Sequence, residues 1–268
     1  MGLPRLPQPL RVDQEALAED LRAGVLTLRL NRPRVRNALS EELAATLMAA
    51  LQRAAHDDGV VAVVLTGTGS AFCAGADLAR FDDDHDPRRF RFDSHRLTEL
   101  VGSIERLEKP VVAAVNGIAV GLGVQLALAC DLRVGGTSAK FAFTEGALGL
   151  VPTHGGIARL VKLVGLAHAR DLLLTSATVD AERARELGLL TEVVPDDGVH
   201  AAAAALVERA LVRTPQSYGL VKRLLTLAAS TDIASAMTAE TIGQSLLVGS
   251  DEHRDALRAR RRSPRARS

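Results

Sequence analysis

The stretch VVAAVNGIAVGLGVQLALACD, residues 111–131, decides the fold class. Val111 to Val115 is an unbroken apolar run, the pattern of a strand buried on both faces. Asn116-Gly117 is a turn pair. Gly121 and Gly123 then open a helical run whose one polar side chain is Gln125. A buried strand that passes through glycines into a helix is a unit of α/β architecture. VVAVVLTG (60–67) is a second fully apolar strand, followed by the glycine-rich loop GTGSAFCAGADL (67–78). GVLTLRLNRP (24–33) alternates apolar and polar residues and reads as a further strand.

Between these strands lie helices. Ser40-Glu41-Glu42 is a helix start, a hydroxyl cap followed by acids at the positive end of the dipole, and the helix runs to about Asp57. RFDDDHDPRRFRFD (80–93) reads as a charged, solvated loop, with a helix from about Ser94 to Leu107. From Gly155 onward the chain is mostly helical, with a stop at Gly188 and a short strand in TEVVP. The expected organisation is a core over 1–198, a C-terminal helical region over 199–253, and a disordered basic tail over 254–268.

Composition narrows the function. The chain has 268 residues, 47% hydrophobic, with no Trp and one Tyr, so its core is aliphatic. Net charge is +1. Residues 254–268 hold seven arginines against one aspartate, so the remaining body is mildly acidic, which argues against a nucleic-acid binder. Cys73 and Cys130 make no disulfide framework and point to a reducing, cytoplasmic setting. The start MGLPRLPQPLRVD carries prolines where a signal peptide needs an apolar run. No apolar run is long enough to span a membrane, and the seven histidines show no metal-ligand spacing.

The glycines admit two readings. As a dinucleotide fingerprint they are weak, because Leu126 stands where the third glycine belongs. As helix-start and loop glycines they leave N–H groups free, and two such loops at strand ends can converge on one oxygen as an oxyanion hole. The plain alternative is two tight turns beside close packing.

Five motifs in order carry a resemblance. They are LNRPRVRNAL (30–39), LTGTGSAFCAGADL (65–78), KPVVAAVNGIAVGLG (109–123), LALACDLRV (126–134) and FTEGALGLVPTHGG (143–156). Together they resemble the enoyl-CoA hydratase/isomerase (crotonase) family from about Val25 to about Arg254. The resemblance implies an α/β spiral of ββα units with C-terminal helices used for trimerisation. It implies an acyl-CoA thioester substrate, no separate cofactor, no metal, and a homotrimer or a dimer of trimers. It places the oxyanion-hole donors at the backbone of Ala76 and Leu122, with Ala74, Gly75 and Gly121 shaping the two loops.

Hydrating members of the family carry two glutamates. The matching positions here are Gln125 and Glu145. An amide orients water but is no base. Loss of a general base commonly costs on the order of 10²–10⁴ in rate. A double-bond shift needs only one carboxylate, so the pattern leans to isomerisation with Glu145 as proton shuttle. Atypical hydration, thioester hydrolysis, decarboxylation and a non-catalytic binding role stay open. Asp77 is expected to brace its loop. His154 stands where the family usually has a small residue, and is either an ordinary loop histidine or a substrate contact. Arg34 and Arg36 are either surface arginines or partners for the coenzyme A phosphates. His85 and His95 receive no role. An aromatic residue usual in the family's C-terminal segment is absent here.

Overall fold

The computed structural model describes residues 16–78 and 87–262. Two sheets grow from one repeated unit. Strands β3 (Ala62–Gly67) and β4 (Ala71–Cys73) precede helix α2 (Pro87–Arg106); β5 (Val111–Val115) and β6 (Ile118–Val120) precede α3 (Leu122–Ala129). β7 (Leu132–Gly136) and β8 (Lys140–Ala142) precede α4 (Gly156–Leu174). The first strand of each pair joins one sheet and the second joins the other. The result is a six-stranded sheet in the order β1-β2-β3-β5-β7-β10 and a four-stranded sheet in the order β4-β6-β8-β9. The outer members are β1 (Leu17–Arg22), β2 (Val25–Leu30), β9 (Thr178–Asp180) and β10 (Glu192–Val194). Among the described residues, only the β1–β2 and β8–β9 pairs are antiparallel.

Local sequence explains the main elements. All six residues of β3 and all five of β5 are buried, as their unbroken apolar runs require. Helix α1 (Glu41–His56) starts where Ser40 accepts a hydrogen bond from the Leu43 amide at 3.2 Å. Every residue of α3 is buried, so it needs no polar face and runs through the middle of the molecule. The larger core cluster fills the space around α1, α2, α3 and both sheets.

Three expectations change. The charged loop at 80–93 gives way to helix α2 from Pro87; residues 79–86, with His85, lie outside the described residues. The C-terminal group does not begin cleanly at 199. Helix α6 (Val199–Ala210) covers the second face of the large sheet through Ala203, Leu206 and Val207 against Ala62, Val64, Val112 and Val134. The helices that stand beyond that layer are α7 (Pro215–Ala228), α8 (Ile233–Leu247) and α9 (Asp251–Arg262), while α5 (Ala181–Glu186) belongs with β9 and β10. The tail expected to be disordered from 254 is helical to Arg262, and residues 263–268 lie outside the described residues. Asp251 and Glu252 sit in its first turn and Arg260, Arg261 and Arg262 in its last, which matches the helix dipole.

Candidate active site

The two glycine loops meet. The first follows β4 and is held from outside by the segment after β2. The Ala74 amide donates to the Arg36 carbonyl at 2.9 Å, the Leu39 amide to the Gly75 carbonyl at 2.8 Å, and the Asp77 amide to the Leu39 carbonyl at 3.1 Å. Asn37, fully buried, donates its side-chain amide to the Ala71 and Thr68 carbonyls at 2.8 and 3.0 Å. Asp77 braces the loop as expected, by an ion pair with Arg32 at 2.8 Å. The second loop turns at Gly121, whose φ of +49° lies in the left-handed region and whose amide donates to the Ala142 carbonyl at 3.0 Å.

These bonds leave several loop amides over, two of which matter to the site. Among the described residues, the backbone N–H groups of Ala76 and Leu122 have no backbone acceptor. They are close in space. A methyl group placed on Gly75 would lie 2.8 Å from the Val120 carbonyl and 3.6 Å from the Leu122 nitrogen. One placed on Gly123 would lie 2.2 Å from the Cys73 carbonyl. The absence of Cβ atoms is what lets the first loop seat on the start of α3.

Both loops open on a cavity of about 200 Å³. Ala74, Gly75, Ala76, Gly121, Leu122, Gln125, Glu145 and His154 all line it. Leu78, Leu97, Leu148, Leu150 and Val151 supply an apolar wall, with Ser94, Thr144 and Thr153 between them. Sequence reading passed over this wall, although the run LGLV after Glu145 was a visible signal.

Gln125 and Glu145 form a pair in that cavity. Gln125, 4% exposed, donates its Nε2–H to Glu145 Oε1 at 3.1 Å. The other two oxygens, Gln125 Oε1 and Glu145 Oε2, are shut from solvent and have no hydrogen-bond partner among the described residues. Glycines give both side chains their room. A Cβ on Gly121 would stand 3.3 Å from Glu145 Oε1, and one on Gly156 would stand 2.9 Å from Gln125 Cγ. Unpartnered buried acceptors cost stability, so a site that keeps two of them is suited to a ligand that brings donors or protons.

His154 reaches the same cavity from the turn before α4. Its backbone is left-handed, with φ of +54°, and its Nδ1 lies 3.0 Å from the Thr98 hydroxyl of α2. Arg159 locks that turn by donating to the His154 carbonyl at 2.5 Å and to both Glu105 oxygens at 2.6 and 2.5 Å. None of these ties was read from sequence, because they join helices far apart in the chain.

The structure does not bring Arg34 and Arg36 into the cavity. Both are exposed on and beside the short 3-10 turn Pro33–Val35, and neither side chain has a partner among the described residues. His95 is exposed on α2. Burial pushes the thiols of Cys73 and Cys130 up to about 12, so both stay protonated and behave as packing. No group of three or more metal-ligating side chains occurs among the described residues, and none of their helices is long and apolar enough to cross a membrane.

A second cleft, of about 480 Å³, opens between α6, α7 and the end of α3. Its polar centre is different in kind. Asp131 Oδ2 accepts from Lys222 Nζ at 2.9 Å, the Val111 amide at 2.8 Å and the Tyr218 hydroxyl at 3.2 Å. Burial pushes the Asp131 carboxyl up, and Lys222 pulls it back. Burial beside that carboxylate also lifts the Tyr218 hydroxyl well above its usual range.

Comparison with known proteins meets this geometry. The family described as enoyl-CoA hydratase/isomerase matches residues 20–263. A 1,2-epoxyphenylacetyl-CoA isomerase from Escherichia coli is 34% identical over 257 residues, covering 93% of this chain and 97% of the relative. A short-chain-enoyl-CoA hydratase from Clostridium acetobutylicum is 31% identical over 253 residues, covering 93% and 95%. The crystal structure of an enoyl-CoA hydratase from Bacillus anthracis superposes with a TM-score of 0.86 at 31% identity, covering 91% of this chain and 95% of that one.

Proposed function

Since the chain belongs to the enoyl-CoA hydratase/isomerase family and is an enzyme of the crotonase fold, we propose that it shifts the double bond of an enoyl-CoA thioester, with Glu145 as the single proton shuttle. The hydrogen bond from Gln125 to Glu145 carries this reading, because it puts one carboxylate and one amide where hydration uses two acids.

The steps follow from the geometry. The thioester oxygen sits against the free N–H groups of Ala76 and Leu122. Glu145 Oε2 takes a proton from C2 of a 3-enoyl thioester, and the electron pair moves into a dienolate whose charge rests on that oxygen. Two preaimed donors stabilise this charge more than the neutral carbonyl, and one such donor is worth about 3 kcal/mol. The protonated carboxyl then returns its proton at C4, and the double bond lies between C2 and C3. The Gln125 amide holds Oε1 throughout and leaves Oε2 to carry the proton. No cofactor or metal enters, since coenzyme A is part of the substrate. Two free, buried cysteines suit a cytoplasmic enzyme.

Hydration is the second reading, and one observation favours it. Gln125 Oε1 and Glu145 Oε2 are both unpartnered acceptors in the cavity, and a water molecule has two hydrogens to give. The relatives carry isomerase and hydratase names alike. Matched 2-enoyl and 3-enoyl thioesters separate the readings: the proposal expects double-bond migration to outrun water addition, and hydration at ordinary enzyme rates overturns the preference.

We also propose that the C-terminal helices join three copies of the chain. The support is the apolar surface left on α8, where Ile233, Met237, Ile242 and Leu246 are 78, 59, 58 and 66% exposed. A monomeric mass in light scattering at micromolar concentration contradicts this.

A further inference from the structure

The acyl pocket has a side that backbone donors and the acid–amide pair do not explain. There His154 crosses from the turn before α4 to helix α2. The Thr98 hydroxyl already donates to the Ser94 carbonyl at 3.0 Å, so its contact with His154 at 3.0 Å is one in which the imidazole Nδ1–H donates. Ser94, one turn back on the same face of α2, and Leu97, next to Thr98, line the pocket with His154. The imidazole is thus a bar between two walls of the cavity.

The bar is built at a cost. His154 holds a left-handed φ of +54°, a conformation that costs a residue with a side chain some strain, and Gly155 after it is left-handed too. Arg159 supplies the force. Its guanidinium binds the His154 carbonyl and, through Glu105, the same helix α2 that carries Thr98. Two independent ties therefore fix the imidazole against α2, one through its ring and one through its backbone.

We propose that His154 sets the acyl-length limit of this enzyme by closing the pocket where the α4 turn faces α2, so that short acyl chains fit and longer ones are refused. This rests on the acyl-CoA reading above but on neither choice of reaction. An apolar pocket discriminates about tenfold or more per methylene when a wall stands in the way. Removing the ring opens a path between Ser94, Leu97 and the turn.

The test measures binding of saturated butanoyl-CoA and decanoyl-CoA by calorimetry, which needs no turnover. In the unsubstituted protein the short thioester binds tighter. His154→Gly, which suits the left-handed backbone, is expected to improve decanoyl-CoA affinity tenfold or more relative to butanoyl-CoA. His154→Ala gives the same direction, and thermal denaturation checks that each variant is folded. Thr98→Val, which frees the ring without removing it, is expected to give a smaller shift of the same sign. An unchanged ratio of the two affinities in His154→Gly overturns the proposal, as does equal effect on both thioesters. Failure of the unsubstituted protein to bind either thioester overturns the acyl-CoA reading itself and this proposal with it.

Discussion

Asp131 and Glu145 are both partly buried carboxylates that line clefts, and they are furnished in opposite ways. Asp131 offers one oxygen to three donors, from Lys222, Val111 and Tyr218. Glu145 receives one donor, from Gln125, and its Oε2 has none among the described residues. A carboxylate whose acceptors are filled is fixed in charge and place, which suits it to pin α7 on the core. A carboxylate with an idle buried oxygen is paid for in stability and is available to take a proton. The larger cleft surrounds the first and the smaller one the second, so on the proposed function size does not mark the reactive site.

The largest effect that tests this contrast is Glu145→Gln. Isomerisation of a 3-enoyl thioester is expected to lose roughly 10²–10⁴ in kcat, while the thermal midpoint holds. Loss of folding with retained specific activity would reverse the two assignments. Next comes Lys222→Met, which strands the Asp131 carboxylate. It is expected to lower unfolding stability by about 3–5 kcal/mol in urea titration, with kcat per folded molecule preserved. Adding Asp131→Asn to that variant is expected to restore much of the loss, because no buried charge is then left without a partner.

Gln125→Leu ranks third. It removes the donor to Glu145 Oε1, a charged hydrogen bond worth about 1.5–3 kcal/mol, so kcat is expected to fall about tenfold or more with KM nearly constant. A change in KM alone would make Gln125 a substrate contact. The smallest effect is chemical. At pH 8 iodoacetamide is expected to leave Cys73 and Cys130 unlabelled in the native protein, since both thiols titrate near 12. Lys222 lowers the Cys130 thiol and Asp131 raises it, so folded Lys222→Met is expected to leave Cys130 no more reactive, and mass spectrometry of the digest reads this directly.

The same contrast shows what sequence can carry. The strands of the large sheet that matter most, β2, β3 and β5, are five or six residues long, and their apolar runs are legible. The four strands of the small sheet are three residues each, too short for a period to be read. The sequence predicts the second helix from Ser94, seven residues after its start, because residues 87–93 read as a charged run. At the site, Glu145, Gln125 and the loop residues were found through motif resemblance, and the cavity unites them. Arg34 and Arg36 stay exposed and outside the cavity, so the choice between surface arginines and coenzyme A contacts is not legible from their place in the chain. The Lys222–Asp131 pair, and the clamp of Arg159 on Glu105, span separations that local pattern cannot connect.

The central claim is that Glu145 alone makes and unmakes a thioester enolate. Exchange of the C2 protons of a 3-enoyl thioester with deuterated water, followed by NMR, tests it most directly. The account predicts exchange by the unsubstituted protein and its loss in Glu145→Gln. Undiminished exchange in that variant would contradict it.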